Sequence, residues 1–255
     1  MLKKILHSMG FGPIEDYVEP YEYKLPDPQK TIKKHNTSII DYQRQHILDP
    51  IIGYDDIKQL FYMALASDKP VHILLTGPPG TGKTMFLQQI DQHLRNAFFT
   101  VGSNTSKAGL VSVLLDRMPR YVCVDEIELM RPTDQAALLH LMETGIIAET
   151  KVKNTERKQL TSWVFATSND TARMTGPLLS RFVIKQVPAY SYDQFREIAV
   201  TRLVNEERIT AEFAELIAYK TWNDFGSADF RDAVKFSRMA KDEPQLDFVI
   251  RTLKK

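Results

Sequence analysis

The stretch His72-Ile73-Leu74-Leu75-Thr76-Gly77-Pro78-Pro79-Gly80-Thr81-Gly82-Lys83-Thr84 decides the fold. Its first five residues are an apolar run halted by glycine and two prolines, which predicts a short buried strand. Beyond it, Phe86, Leu87, Ile90 and Leu94 repeat at helical spacing. The eight residues between fit G-x-x-x-x-G-K-S/T, placed after a strand and opening a helix, as a phosphate-gripping loop requires. Glycines let backbone N–H groups turn inward around a phosphate, and the helix N-terminus adds its positive dipole end. Lys83 is expected to reach the β- and γ-phosphate oxygens and Thr84 to ligate Mg²⁺. Pro79, Gly80, Thr81, Gly82, Lys83, Thr84 and Met85 are the residues assigned to the nucleotide here.

Outward from this loop the pattern alternates. Ile57, Leu60, Phe61, Ala64 and Leu65 predict a helix before it, and Phe98–Val101 a second strand after it. Leu110, Val113, Leu114 and Met118 mark a helix, Tyr121–Val124 a third strand, and 136–142 another helix. Trp163–Thr167 and Val183–Val187 read as the fourth and fifth strands. Strands alternating with helices imply an α/β domain, a parallel sheet sandwiched by helices. After Pro188 only helical spacing recurs, in four short segments that predict a small all-α appendage. Residues 1–48, rich in Pro and Tyr with mixed charge, show neither period and read as an arm or linker. The expected division is therefore 1–48 arm, 49–189 α/β nucleotide-binding domain and 190–255 helical lid.

Composition narrows the setting. The 255 residues are 43% apolar and 25% charged, which excludes wholesale disorder. Lys+Arg 33 against Asp+Glu 32 leaves +1, so a nucleic-acid partner would have to be met by a local patch. One cysteine, Cys123 within an apolar run, can form no internal disulfide and suits a reducing compartment. No apolar stretch approaches a membrane span and the N-terminus lacks a secretory pattern, so a cytoplasmic protein without membrane association is expected.

The third strand ends in Asp125-Glu126. Ligands collect at the carboxyl ends of parallel strands, so these two acids are expected beside the phosphate loop. Asp125 would hold Mg²⁺ and Glu126 would prepare the attacking water, making the chain a hydrolase.

The phosphate loop and the acidic pair, together with the segments downstream of them, resemble the AAA+ ATPases over roughly residues 50 to 241. That resemblance implies a P-loop NTPase sheet of the AAA+ type followed by a helical lid, with ATP and Mg²⁺ as ligands. Thr161–Asn169 looks like the family's sensor 1 strand, which implies that Asn169 helps to place the lytic water. Gly176-Pro177-Leu178-Leu179-Ser180-Arg181-Phe182 resembles the arginine-finger segment of the RuvB-like, MCM and clamp-loader members. There Arg181 would act on the neighbouring subunit's nucleotide, with Arg173 as the competing candidate. Asp229-Phe230-Arg231 resembles the clamp-loader sensor 2, implying that Arg231 meets the γ-phosphate in cis; a solvated helix-face charge is the other reading. Ile52 and Gly53 resemble the adenine-pocket segment, and Tyr190 at the sheet–lid junction is placed with them.

Residues 145–161 alternate and turn at Asn154-Thr155, which predicts a β-hairpin before sensor 1. Lys151, Lys153, Arg157 and Lys158 would form a basic tip able to follow a phosphate backbone. A solvated hairpin without a ligand is the other reading of these residues. Val124–Ile127 and Leu141-Met142-Glu143 also look like RuvB, although no winged-helix or collar domain is expected between the lid and Lys255. The expected function is an ATPase working at the interfaces of a ring-shaped, hexameric homo-oligomer, with DNA as the leading load and helicase or branch-migration work as its form. A MoxR-like protein remodeller and a clamp-loader-like nucleotide switch are the alternatives. Ser103–Gly109 carries no aromatic for gripping protein, which favours nucleic acid.

Overall fold

The computed structural model describes residues 46–151 and 154–254. All of them belong to one compact unit. The expected arm therefore falls outside them except for 46–48, where Ile47 and Leu48 are buried with Ile51 beneath the first helix.

In chain order the elements are α1 (Asp55–Ala66), β1 (Ile73–Thr76), α2 (Lys83–His93), β2 (Ala97–Val101), α3 (Lys107–Arg117), β3 (Tyr121–Asp125) and α4 (Pro132–Thr144). Then come the hairpin strands β4 (Ile146–Lys151) and β5 (Asn154–Gln159), followed by β6 (Trp163–Ser168), the single turn α5 (Gly176–Leu179) and β7 (Val183–Gln186). Four helices close the chain: α6 (Tyr192–Asn205), α7 (Ala211–Lys220), α8 (Phe230–Met239) and α9 (Glu243–Leu253). All five expected strands of the main sheet are present, and they pair in parallel in the order β2-β3-β6-β1-β7.

Period-2 alternation along these strands divides the core in two. Ile73 and Leu75 of β1, Cys123 of β3 and Phe165 of β6 face one cluster with Phe61, Phe86 and the C-terminal helices' Phe195 and Phe236. Leu74, Val122, Val124, Val164 and Ala166 face the other, with Leu114 of α3, Leu138 of α4 and Leu178 of α5. Covering both faces is what lets the inner strands read as continuous apolar runs. Two polar groups pin the seams. The Trp163 indole N–H donates to the Ala64 carbonyl at 2.9 Å, which also accepts from Ser67 at the end of α1. The His72 ring, 8% exposed, accepts the Val164 N–H through Nδ1 at 3.0 Å and also bonds the Met142 backbone.

The hairpin is present, antiparallel, with Ile146 opposite Gln159 and Lys151 opposite Asn154. Buried Ile147 and Leu160 fix its base to the second cluster. Lys158 differs from its expected place at the tip: it pairs across from Ile147 near the base. Its ammonium donates to the Leu115 carbonyl at 2.6 Å, at the end of α3 where carbonyls lack partners. Arg157 is exposed, and Lys153 lies outside the described residues.

Burial pushes the His72 pKa down to about 4 from 6.5, so the folded state prefers the neutral ring. The stability this adds is complete above pH 6.5 and is lost as pH falls from there towards about 4, because the unfolded chain takes the proton first. The loss is on the order of 3 kcal/mol at the acid end. Urea midpoints measured between pH 7 and 4.5 should fall more steeply for the natural chain than for His72→Gln; parallel slopes would exclude this contribution.

Candidate nucleotide-hydrolysis site

The registry of the sheet decides what meets at its carboxyl edge. Thr76 lies level with Ser168, and Val124 with Ala166. The residues that end or follow β1, β3 and β6 therefore emerge side by side, where the order departs from chain sequence and β1 sits between β6 and β7. These are the phosphate loop, Asp125-Glu126 and Asn169.

Gly82 caps α2 in the left-handed region at φ 75°, which favours glycine. A Cβ there would also lie 2.4 Å from the Tyr190 hydroxyl. Lys83 follows as the first helical residue and is 6% exposed. Its ammonium donates to the carbonyls of Gly77 at 2.8 Å and Pro78 at 2.7 Å, and to Asn169 Oδ1 at 3.0 Å. Burial lowers its pKa; the carboxylates of Glu128, Asp125 and Glu126 pull it back up, and Arg231 adds to the lowering. The Thr84 hydroxyl donates to both Asp125 oxygens at 3.1 Å.

Asp125 is also held by the Thr167 hydroxyl, whose oxygen in turn accepts the Glu126 N–H at 3.0 Å. Glu126 itself takes a left-handed backbone, φ 52° and ψ 49°, which costs a non-glycine residue roughly 1 kcal/mol. Strain of this kind gathers where a side chain has to be aimed rather than packed. Gly102 makes room for the turn, since a Cβ there would stand 2.2 Å from the Glu126 carbonyl oxygen. Glu128, on the 3-10 turn Ile127–Leu129, accepts the Asn169 N–H at 2.9 Å.

The helical segment closes the other side. A cleft of about 300 Å³ is lined by Pro78, Pro79, Gly80 and Thr81 of the loop, and by Tyr190 and Asp229 among others. Tyr190 packs at a tilt against Tyr54, ring centroids 5.2 Å apart, and the Tyr54 hydroxyl donates to the Pro188 carbonyl at 2.9 Å. Burial pushes both phenols up, keeping them neutral. Ile52, Gly53 and Met85 do not line this cleft: Ile52 and Met85 pack against the first core cluster, and Gly53 abuts the Gln194 side chain.

The two arginines are each held by a carboxylate of the same chain, Arg231 at the rim of the cleft. Arg231 is exposed and ion-paired to Asp229 at 2.6 Å, and this carboxylate raises its pKa. Burial opposes the charge on Asp229, but Arg231 more than offsets that and holds the acid below its usual range. Arg181, 38% exposed at its side chain, pairs with Glu143 of α4 at 2.6 Å. Arg173 accepts at its carbonyl from Gln135.

Sequence reading missed Thr167, Glu128, Gly102 and Asp229. A threonine ending an apolar strand and a third acid two residues after Glu126 were visible signals. The roles of Gly102 and Asp229 depend on contacts between distant segments and leave no local mark.

Among the described residues, no helix is long and apolar enough to cross a membrane. Residues 29–120 match the family model described as the MCM P-loop domain. The chain is 28% identical over 221 residues to DNA replication licensing factor MCM5 of Arabidopsis thaliana, covering 68% of this chain and 30% of that protein. It is 26% identical over 205 residues to licensing factor mcm2 of Xenopus laevis, covering 64% and 23%. The chain thus spans less than a third of the length of these relatives. The Thermotoga maritima RuvB Holliday junction branch migration motor superposes with TM-score 0.57 at 24% identity, covering 83% of this chain and 72% of that one. A variant of the same RuvB gives TM-score 0.59 at 23% identity, covering 75% and 64%. The five-stranded parallel sheet flanked by helices is the fold that these RuvB structures share.

Thr167→Val keeps the shape but strips Asp125 of a donor and the Glu126 N–H of its acceptor. It should destabilise the fold by about 1–3 kcal/mol, while Thr167→Ser stays near the natural value. Equal denaturant midpoints for Val and Ser would show that the hydroxyl is idle.

Proposed function

We propose that this chain hydrolyses ATP at the subunit interfaces of a ring-shaped, hexameric homo-oligomer and uses the energy to move on DNA. One observation carries the reading: Lys83, Thr84, Asp125 and Asn169 sit at one carboxyl edge with Glu126 beside them, Lys83 bonded to Asn169 and Thr84 to Asp125.

Each residue has a distinct task. The loop N–H groups and the start of α2 receive the phosphates, and Lys83 exchanges neutral acceptors for β- and γ-oxygens. Glu126 orients a water and takes its proton at a carboxylate oxygen as that water bonds to the γ-phosphorus. The bond to the bridging oxygen breaks, releasing ADP and phosphate. Asn169 places the water. The Thr84 hydroxyl and Asp125 carboxylate are hard oxygen donors that fit Mg²⁺. Among the described residues no three His, Cys, Asp or Glu side chains gather as a metal site, as suits a cation that draws its other ligands from phosphate and water. When bound, Mg²⁺ would supply positive charge to the phosphate oxygens.

Arg181 is proposed to act in trans. Its own-chain partner is a half-exposed carboxylate, an ion pair of the kind that contributes little and exchanges readily. Arg231 remains the candidate for the γ-phosphate in cis, after leaving Asp229. The names of the relatives, replication licensing factors and a branch migration motor, favour DNA as the load. Exposed Arg157 on the hairpin is a contact for its backbone.

Lys83→Ala should lose nucleotide binding in a fluorescent-ATP titration. Glu126→Gln should keep binding and lose turnover by at least about 100-fold. Full activity in either variant would overturn the site. Hydrolysis should rise with single-stranded, duplex or junction DNA; a rise with unfolded protein alone would overturn the choice of load.

Neither Arg181→Ala nor Glu126→Gln homomers should turn over appreciably, yet mixing them should restore part of the rate. An active Arg181→Ala homomer without any rescue on mixing would remove Arg181 from the reaction.

A further inference from the structure

Glu128 is 7% exposed, buried at the same edge as the phosphate loop. One carboxylate oxygen accepts the backbone N–H of Asn169 at 2.9 Å, while the other is buried and meets no hydrogen-bond donor within the protein. Burying a carboxylate to satisfy one amide is costly unless a cation shares the site. The nearby cation is the ammonium of Lys83, whose charge the Glu128 carboxylate favours and which is hydrogen-bonded to the Asn169 side chain. Glu128 thus holds the main chain of the residue whose amide Lys83 meets, and joins the turn after β3 to the end of β6. Neither neighbour does this: Asp125 is occupied by the hydroxyls of Thr84 and Thr167, and Glu126 is tied to Thr167 only through its backbone N–H.

We infer that Glu128 is a positioning residue for hydrolysis: its carboxylate fixes the Asn169 backbone, and through it the amide that places the attacking water. The inference rests on the ATPase reading above. The acceptor oxygen and its reach are what the role needs. Gln keeps both; Asp keeps the charge but withdraws the oxygen by one methylene; Ala removes the group.

Steady-state hydrolysis and fluorescent-ATP affinity should be measured for the natural chain, Glu128→Ala, Glu128→Gln, Glu128→Asp, Asn169→Ala and the Glu128→Ala/Asn169→Ala pair, with thermal melts for each. Glu128→Ala should lower kcat on the order of 10- to 100-fold, the size expected from a misplaced reacting group, with affinity altered less than about 3-fold. Gln should recover most of that loss and Asp should not. The double variant should turn over about as slowly as Asn169→Ala alone, because both changes act through one contact. If the Ala variant does not fold, the Gln–Asp comparison decides alone. Gln as slow as Asp, Ala as fast as the natural chain, or losses that multiply in the double variant would each overturn the role. Natural chain that turns over beside an unaffected Glu128→Ala defeats this inference only; natural chain with no turnover defeats the ATPase reading, and this one with it.

Discussion

An ammonium group lies almost out of water at the mouth of β1, and much of the surrounding arrangement can be understood as the means of keeping it there. A desolvated lysine favours its neutral form unless acceptors and negative charge surround it. Here two loop carbonyls, one amide oxygen and three nearby carboxylates do so. They come from three strands far apart in sequence. Only a parallel sheet that aligns the carboxyl ends of β1, β3 and β6 brings them together, and only a sheet covered on both faces can be parallel throughout.

The same constraint explains the unusual backbone at the edge. A carboxylate that continued the line of β3 would follow the alternation of the strand. The left-handed conformation of Glu126 breaks that alternation, and Gly102 accepts the turned main chain. Asp125 and Glu126, adjacent in sequence, thereby enter different surroundings: one between two hydroxyls, the other half-exposed. Two neighbouring acids of the same chemistry can then serve separate ends, one for binding and one for proton transfer.

The helical segment touches the loop at its glycines. Asp229 lies against Gly80 and Tyr190 against Gly82, and a single hydrophobic cluster runs from α1 and α2 to α6–α9. A change in the phosphate loop would therefore be felt at the start of α8, where Asp229 caps the helix and holds Arg231.

The sequence alone made the five strands, the four closing helices and the hairpin legible, because burial on two faces, burial on one face and turn chemistry each leave a period or a residue type behind. Gly77 to Thr84 and Asp125-Glu126 were legible for a similar reason: backbone phosphate binding needs glycine, and acids at a strand end break an apolar run. Tertiary structure decided the rest. It turned Lys158 back onto α3, packed Ile52 against the first core cluster, tied Arg181 to Glu143, and buried Glu128 against Asn169. None of these carries a periodic trace, since each depends on which group from a distant segment lies within reach once the sheet has closed.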